Sequence, residues 1–319
     1  MPVEPILEAR GLWKSYAAPG WSRGGSAARR PALIDASLAL ARGEVLGVVG
    51  ESGSGKTTLA RCLALLARPD KGSVHLAGED LTTLAPGALR RQRRRIQTVF
   101  QDPFASLNPR LAAGEAIAEV LRVHRPAGRG DIAARVARLL DLVGLPRAAA
   151  GRYPSDFSGG QRQRICIARA LAAEPEVLIA DEAVSALDVS IRAQILNLLL
   201  DLRDELGLSM VFIGHDLFVV DFVASRVAVM LGGQIVELLP GARLDQARHP
   251  YTRELLAAAP TLSRAAPRAA ETAIAGGPPP VGCPYLHRCP HTPEPRCRTE
   301  YPPLADRGGG HLVAAFCED

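Results

Sequence analysis

The chain has no apolar run approaching the ~18 residues that a membrane-spanning helix needs. An integral helical membrane protein is thereby excluded. Met1 to Arg10 carries Glu4 and Glu8 and lacks a basic-then-apolar pattern, so it does not read as a secretory signal. Aromatic residues are 4% of the 319, too few for a large base-stacking platform. No internal repeat is present. These absences point to a cytosolic chain whose membrane contact is peripheral.

What is present supports a globular enzyme or binding protein. Apolar residues are 47% and charged residues 22%, enough to bury a sizeable core. At roughly 150 residues per domain, the length suggests two domains, or one large domain with an extension. The net charge of +5 is compatible with an anionic ligand or a membrane surface and names neither.

The pattern changes along the chain. Val45 to Val49, Glu176 to Ala180 and Ser209 to Ile213 are short apolar runs that predict strands. Helical periodicity follows each, over Lys56 to Ala67, Ser190 to Leu206 and Asp216 to Ala224. Strands alternating with helices predict a mainly parallel sheet. Gly232-Gly233, between Arg226–Leu231 and Gln234–Leu238, predicts a hairpin. From about 102 to 157 the texture is helical, with Glu115 to His124 and Asp131 to Val143 as the clearest helices. A short helix over Tyr251 to Ala258 leads into an Ala/Pro/Gly-rich linker at 259–282.

Gly50-Glu51-Ser52-Gly53-Ser54-Gly55-Lys56-Thr57 fits the phosphate-binding pattern G-x-x-x-x-G-K-[ST] between a strand and a helix. Glycines let the backbone curl so that N–H groups face phosphate oxygens, and the helix N-terminus adds partial positive charge. Lys56 is placed for the β- and γ-phosphates, and Thr57 for Mg²⁺. A second strand ends in Asp181-Glu182, where Asp181 suits Mg²⁺ and Glu182 suits an attacking water. Ser158-Gly159-Gly160-Gln161 opens another helix and makes a second anion-binding terminus. One ATP site does not need two cradles, so the second fits the nucleotide of a partner chain.

The cysteines are unevenly placed. Cys62 and Cys166 lie in apolar stretches and read as small core residues. Cys283, Cys289, Cys297 and Cys317 crowd the end of the chain at spacings suited to zinc, to a [4Fe–4S] cluster, or to free thiols. No tight C-x2-C pair is present. Pro284 and Pro290 each follow a cysteine. His287 and His291 read as solvated, with substitution for a thiolate the other possibility. Arg90, Arg91, Arg93, Arg94 and Arg95 form the densest charge run. Without interleaved aromatics it reads as a solvated helix face, not a nucleic-acid surface.

These motifs together resemble an ATP-binding-cassette (ABC) transporter ATPase. Phe157 to Gln161 is similar to the LSGGQ signature, with Phe in place of Leu. The resemblance implies that Gln101 is the Q-loop residue, touching Mg²⁺ and the lytic water. It makes Asp188, in Ser185-Ala186-Leu187-Asp188, the D-loop residue, and His215 the switch histidine at the γ-phosphate. Tyr16 resembles the aromatic that stacks on adenine. Gly50, Ser52, Gly53, Ser54, Gly55, Lys56, Thr57 and Thr58 become the ATP cradle. Ala183 stands where the family usually has Pro, which relaxes the backbone after Glu182 and is expected to alter rate at most.

The implied fold is α/β, a P-loop NTPase of the ABC ATPase type. It comprises a mixed sheet with helices, a helical subdomain at about 102–157 and an N-terminal antiparallel β-subdomain. That domain would span 1–245, and a small Cys-rich extension 246–319. Gln101 to Arg110, Arg162-Gln163-Arg164, Val184 to Ser190 and His249 to Leu256 narrow the resemblance to the oligopeptide/dipeptide/nickel importers. The "SLNPR" form at Ser106 to Arg110 is usual in the second ATPase of that subfamily. The resemblance implies ATP and Mg²⁺, an iron–sulfur cluster in the tail with zinc as the alternative, and a second ATPase subunit as partner. It also implies two membrane permease subunits, a substrate-binding protein reached through them, and a place on the cytoplasmic face of the membrane. The expected solute is a dipeptide or oligopeptide, with nickel or another small solute as the alternative. A soluble ABC protein acting on ribosomes or DNA is disfavoured, since neither a second cassette nor a long coiled coil is present.

Overall fold

A computed structural model describes residues 4–17, 29–124, 131–241, 244–258 and 281–316. The chain divides into two compact units. One comprises residues 1–7, 40–44 and 75–213; the other comprises 8–39, 45–74 and 214–319.

The first unit is built on parallel strands in the order Ile96–Val99, Val177–Asp181, Ser209–Ile213. Ile96 pairs with Val177, and Val177 with Ser209. Every residue of the latter two strands is buried. Their unbroken apolar character is what burial on both sheet faces demands. Between Val99 and Val177 the described residues are helical or irregular, with helices Pro103–Ser106, Ala113–His124, Ile132–Leu142 and Gly159–Leu171. Asp131 caps the third of these, accepting the Ala133 N–H at 2.9 Å. Asp188 caps the long helix Val189–Leu206.

Strands Arg29–Leu40, Leu7–Ala17 and Lys71–Leu76, most of whose residues belong to the second unit, lie in that order in the antiparallel N-terminal sheet. A mixed sheet runs Leu304–Asp306, Leu312–Ala314, Gln234–Pro240, Arg226–Leu231, Val45–Val49. Its last pair is parallel and the others antiparallel. Gly232 and Gly233 both have positive φ, the conformation a two-residue hairpin turn needs. Helix Leu217–Val223 lies directly on strand Val45–Val49. A Cβ at Gly47 would come within 2.3 Å of Val220 Cγ1. Only glycine permits that approach.

Two elements differ from the sequence expectation. The helix predicted over Lys56 to Ala67 ends at Leu63, because Leu65 turns to φ 50. The Cys-rich tail adds strands Leu304–Asp306 and Leu312–Ala314 to the sheet edge. A buried carboxylate helps to hold it there. Glu237 accepts the N–H groups of Arg248 at 2.7 Å and His249 at 3.3 Å, and faces His311 Nε2 at 2.7 Å. Most of the predicted linker, 259–280, lies outside the described residues, as does Cys317. Among the described residues, no helix is long and apolar enough to cross a membrane.

Candidate nucleotide site

The loop Gly50 to Lys56 is closed on itself. Gly50 takes φ 153, and a Cβ there would meet the Met230 carbonyl oxygen at 2.2 Å. Gly55 takes φ 109 as the residue capping helix Lys56–Leu63, and a Cβ there would meet the Ala32 carbonyl at 2.5 Å. These two glycines are fixed by backbone approach, so the curl is imposed by the surrounding unit. The Ser54 N–H donates to the Glu51 carbonyl at 3.1 Å. The Lys56 side chain is buried, and its ammonium donates to the carbonyls of Gly50 at 2.8 Å and Glu51 at 2.9 Å. No acidic residue lies in the first turn of the helix. The helix N-terminus and the cation thus meet at a glycine cradle, an arrangement suited to a polyphosphate. Ser52, Gly53 and Thr57 are exposed, and Thr58 is half-buried.

In the same unit His215 is exposed, directly after Gly214, whose N–H donates to the Val48 carbonyl at 3.0 Å. Tyr16 is exposed at the end of its strand, with Lys14 Nζ 5.8 Å from the ring centroid. A ring held by a cation on one side and open to solvent can stack on a base.

In the other unit Asp181 ends the buried central strand, and its side chain is buried. Glu182 follows at φ 50, a left-handed conformation that a non-glycine residue seldom adopts. Its N–H donates to the Ile213 carbonyl at 3.0 Å, and its carbonyl accepts the Ser185 N–H and hydroxyl. The backbone is therefore turned sharply and held, so the half-buried Glu182 side chain leaves the strand end at a fixed angle. Ala183 is buried directly after it. Gln101 is exposed at the end of the strand Ile96–Val99, next to Asp102, which caps the following helix.

Ser158 caps helix Gly159–Leu171 in a reciprocal box. Its hydroxyl accepts the Gln161 N–H at 3.3 Å, and its own N–H donates to Gln161 Oε1 at 3.1 Å. Ser158 is exposed while Gly160 is buried, where a Cβ would meet Ile191 Cγ2 at 2.4 Å. Phe157 is buried beneath the Arg152 guanidinium, 4.4 Å from the ring centroid. The Phe-for-Leu difference is thus absorbed as packing. Asp188 accepts the Ile191 N–H at 3.0 Å, which holds its carboxyl below the usual range.

In the tail, Cys283, Cys289 and Cys297 are half-buried. All three line one cavity of about 30 Å³, together with His249, His291 and Phe316. The Cys283 N–H donates to the Cys297 carbonyl at 2.8 Å. Among the described residues, no group of three His, Cys, Asp or Glu side chains is spaced to hold a metal ion. His287 is exposed. Cys62 and Cys166 are buried, and burial pushes both thiols up to about 11. Sequence reasoning missed Arg288 and Tyr251, which both bond Glu51 of the phosphate loop. The only sequence signal was their place in the C-terminal segment, far from that loop.

The ABC transporter family model matches residues 33–185. A model for the oligopeptide/dipeptide transporter C-terminal region matches residues 236–297. A "probable peptide ABC transporter ATP-binding protein", y4tS of Sinorhizobium fredii (strain NBRC 101917 / NGR234), is 47% identical over 318 residues, 98% of this chain and 89% of that protein. A Brucella abortus (strain 2308) protein, provisionally named as a peptide import ATP-binding protein, is 51% identical over 280 residues, 86% of this chain and 83% of its own length. Among solved structures, the ATP-binding cassette MJ0796, as a post-hydrolysis dimer bound to ADP and Pi, is similar at TM-score 0.63 and 30% identity. That match covers 72% of this chain and 96% of the cassette. A glycine cradle around a buried lysine, a capped Ser-Gly-Gly-Gln helix and near-full-length identity to such proteins lead to one assignment: the chain belongs to the ATP-binding subunits of ABC transporters.

Proposed function

We propose that this chain is an ATP-hydrolysing subunit of a bacterial ABC importer that energises uptake of dipeptides or oligopeptides. The observation that carries this reading is the joining, in one chain, of an ATP-binding cassette to an oligopeptide/dipeptide transporter C-terminal region at 236–297. In this reading the cassette is 1–245, with its helical part at about 102–157, and the extension is 246–319.

Gly50, Ser52, Gly53, Ser54 and Gly55 offer backbone N–H groups to the phosphates of ATP, Thr58 stands beside them, and Tyr16 stacks on the adenine. Lys56 exchanges its two loop carbonyls for phosphate oxygens. Mg²⁺, when bound, offsets phosphate charge, and Thr57, Asp181 and Gln101 are the residues that would hold it. Glu182 takes a proton from the attacking water, with His215 and Gln101 fixing the γ-phosphate. Ser158, Gly159, Gly160 and Gln161 cover the nucleotide of a partner ATPase, and Asp188 lies at that interface. Most of the acceleration is positioning and charge stabilisation.

The partner is a related second ATPase, with this chain as the "SLNPR" member of the pair. Both work beneath two permease subunits supplied by a substrate-binding protein, at the cytoplasmic face of the membrane. In the tail, Cys283, Cys289, Cys297 and Cys317 are assigned to a [4Fe–4S] cluster, with zinc as the alternative. What supports a shared metal site is that Cys283, Cys289 and Cys297 line one cavity.

The test is co-expression of the chain with its candidate partner ATPase and permeases. Recovery of the chain in the membrane fraction only when the permeases are present, with ATP hydrolysis raised by peptide-loaded binding protein, supports the reading. Equal recovery without permeases contradicts it.

A further inference from the structure

Glu51 ties the phosphate loop to the C-terminal segment. Its carbonyl accepts the Lys56 ammonium at 2.9 Å and the Ser54 N–H at 3.1 Å. Its own N–H does not turn into the loop. It donates instead to the hydroxyl of Tyr251, a fully buried ring from the segment His249 to Leu256, at 2.9 Å. Its carboxylate pairs with the Arg288 guanidinium at 3.1 Å.

Arg288 belongs to the Cys-rich tail and directly precedes Cys289. It is held from three sides. Its second nitrogen donates to Glu254 at 2.5 Å. Its guanidinium lies 5.4 Å from the Tyr251 ring centroid and 5.5 Å from that of Tyr285. The Tyr285 hydroxyl donates to Glu254 at 2.9 Å. A guanidinium fixed in this way has lost most of its rotamer freedom before it meets Glu51, so its charge is well placed.

The charge arithmetic gives this a consequence. A carboxylate carried by a residue of a polyphosphate-binding loop repels the ligand that the loop is built for. Sequence places Glu51 between Gly50 and Ser52, and the fold brings the tail cation onto it. Neutralisation removes that repulsion, while the Tyr251 bond holds the backbone that carries the Lys56 acceptors.

We propose that Arg288 and Tyr251 are positioning residues for the nucleotide: through Glu51, the Cys-rich tail sets the affinity of the phosphate loop. The proposal rests on residues 50–57 binding nucleotide.

The test is calorimetric titration of MgADP into the full-length chain and its variants, each checked by thermal melting. The parent binds MgADP; if it does not, the nucleotide reading itself fails and this proposal with it. Arg288→Ala is expected to weaken binding by roughly three- to tenfold, the range for a half-exposed charge pair beside an anionic ligand. Arg288→Lys is expected to retain most of the affinity. Tyr251→Phe keeps the ring, loses the hydroxyl and is expected to weaken binding. The discriminating variant is Glu51→Gln. Alone it is expected to bind more tightly than the parent, and combined with Arg288→Ala it is expected to restore parental affinity. A purely structural role for Arg288 would not be rescued by removing Glu51's charge. Unchanged affinity in Arg288→Ala overturns the proposal, as does failure of the double variant to recover. Should Arg288→Ala not fold, weaker binding by Glu51→Gln alone overturns it.

Discussion

Ser185 grips the carbonyl of Glu182 twice, with its hydroxyl at 2.9 Å and its N–H at 3.1 Å. Glu182 is the residue at φ 50 just past the central strand, so this grip holds a backbone conformation that would otherwise relax. The usual Pro after the catalytic glutamate is absent here, and Ala183 offers no such restraint. In the proposed mechanism the hydroxyl of Ser185 therefore carries part of the positioning of Glu182.

Ser185→Ala is expected to lower kcat by about three- to tenfold, the equivalent of one lost hydrogen bond. KM for ATP should stay within about twofold, since the phosphate loop is untouched. Steady-state hydrolysis by the complete transporter separates the two parameters. A raised KM with unchanged kcat contradicts the role.

Glu237 anchors the tail to the sheet edge through three donors in a fully buried place. Glu237→Ala leaves two backbone N–H groups and His311 without their acceptor. The expected loss is about 2–4 kcal/mol of stability, seen as a lowered Tm. Glu237→Gln keeps an acceptor and should lose less. Equal Tm for parent and alanine variant would show that the anchor contributes nothing.

Glu176 accepts hydrogen bonds from Arg95 and, at 3.3 Å, from Arg42. The Arg95 bond, followed by the Arg42 pair, holds its carboxyl below the ordinary 4.5. A carboxyl with a lowered folded pKa stabilises the fold above its unfolded value. That contribution is lost as pH falls through the folded value. Melting curves of parent and Glu176→Gln should therefore differ at neutral pH and converge as pH falls from the ordinary 4.5 through the lowered folded value. A constant gap across the range contradicts the ion-pair origin.

The tail assignment has a direct readout. Protein purified without oxygen is expected to absorb broadly near roughly 400 nm and to carry about four irons per chain. Replacing Cys283, Cys289 or Cys297 with Ser should remove the colour. About one zinc per chain and no colour would replace the cluster with a structural zinc.

The motifs of the proposed nucleotide site were legible because each is local. Gly50 to Thr57, Asp181-Glu182 and Ser158 to Gln161 each occupy a few consecutive residues, and their backbone demands are visible in glycine and serine placement. The strands Val45–Val49 and Ser209–Ile213 were legible for a similar reason, being apolar runs bounded by turns. The links to Glu51 were not legible. Tyr251 lies 200 residues away and Arg288 lies 237 away, and nothing in a local pattern encodes such a pairing. The strands Leu304–Asp306 and Leu312–Ala314 were missed because three residues are too few to show a period, and their partner strand supplies the pairing. Helix Lys56–Leu63 was drawn too long because apolar spacing continues past Leu63, while Leu65 leaves the helical region.

The central claim is ATP-driven peptide uptake, and one transport measurement tests it most directly. A strain lacking this chain is complemented with the parent or with Glu182→Gln, and uptake of labelled dipeptide, oligopeptide and nickel is followed. The account predicts that the parent restores peptide uptake and that Glu182→Gln restores about a hundredfold less or none, as loss of a general base requires. Restoration of nickel uptake without peptide uptake, or full peptide uptake with Glu182→Gln, would contradict it.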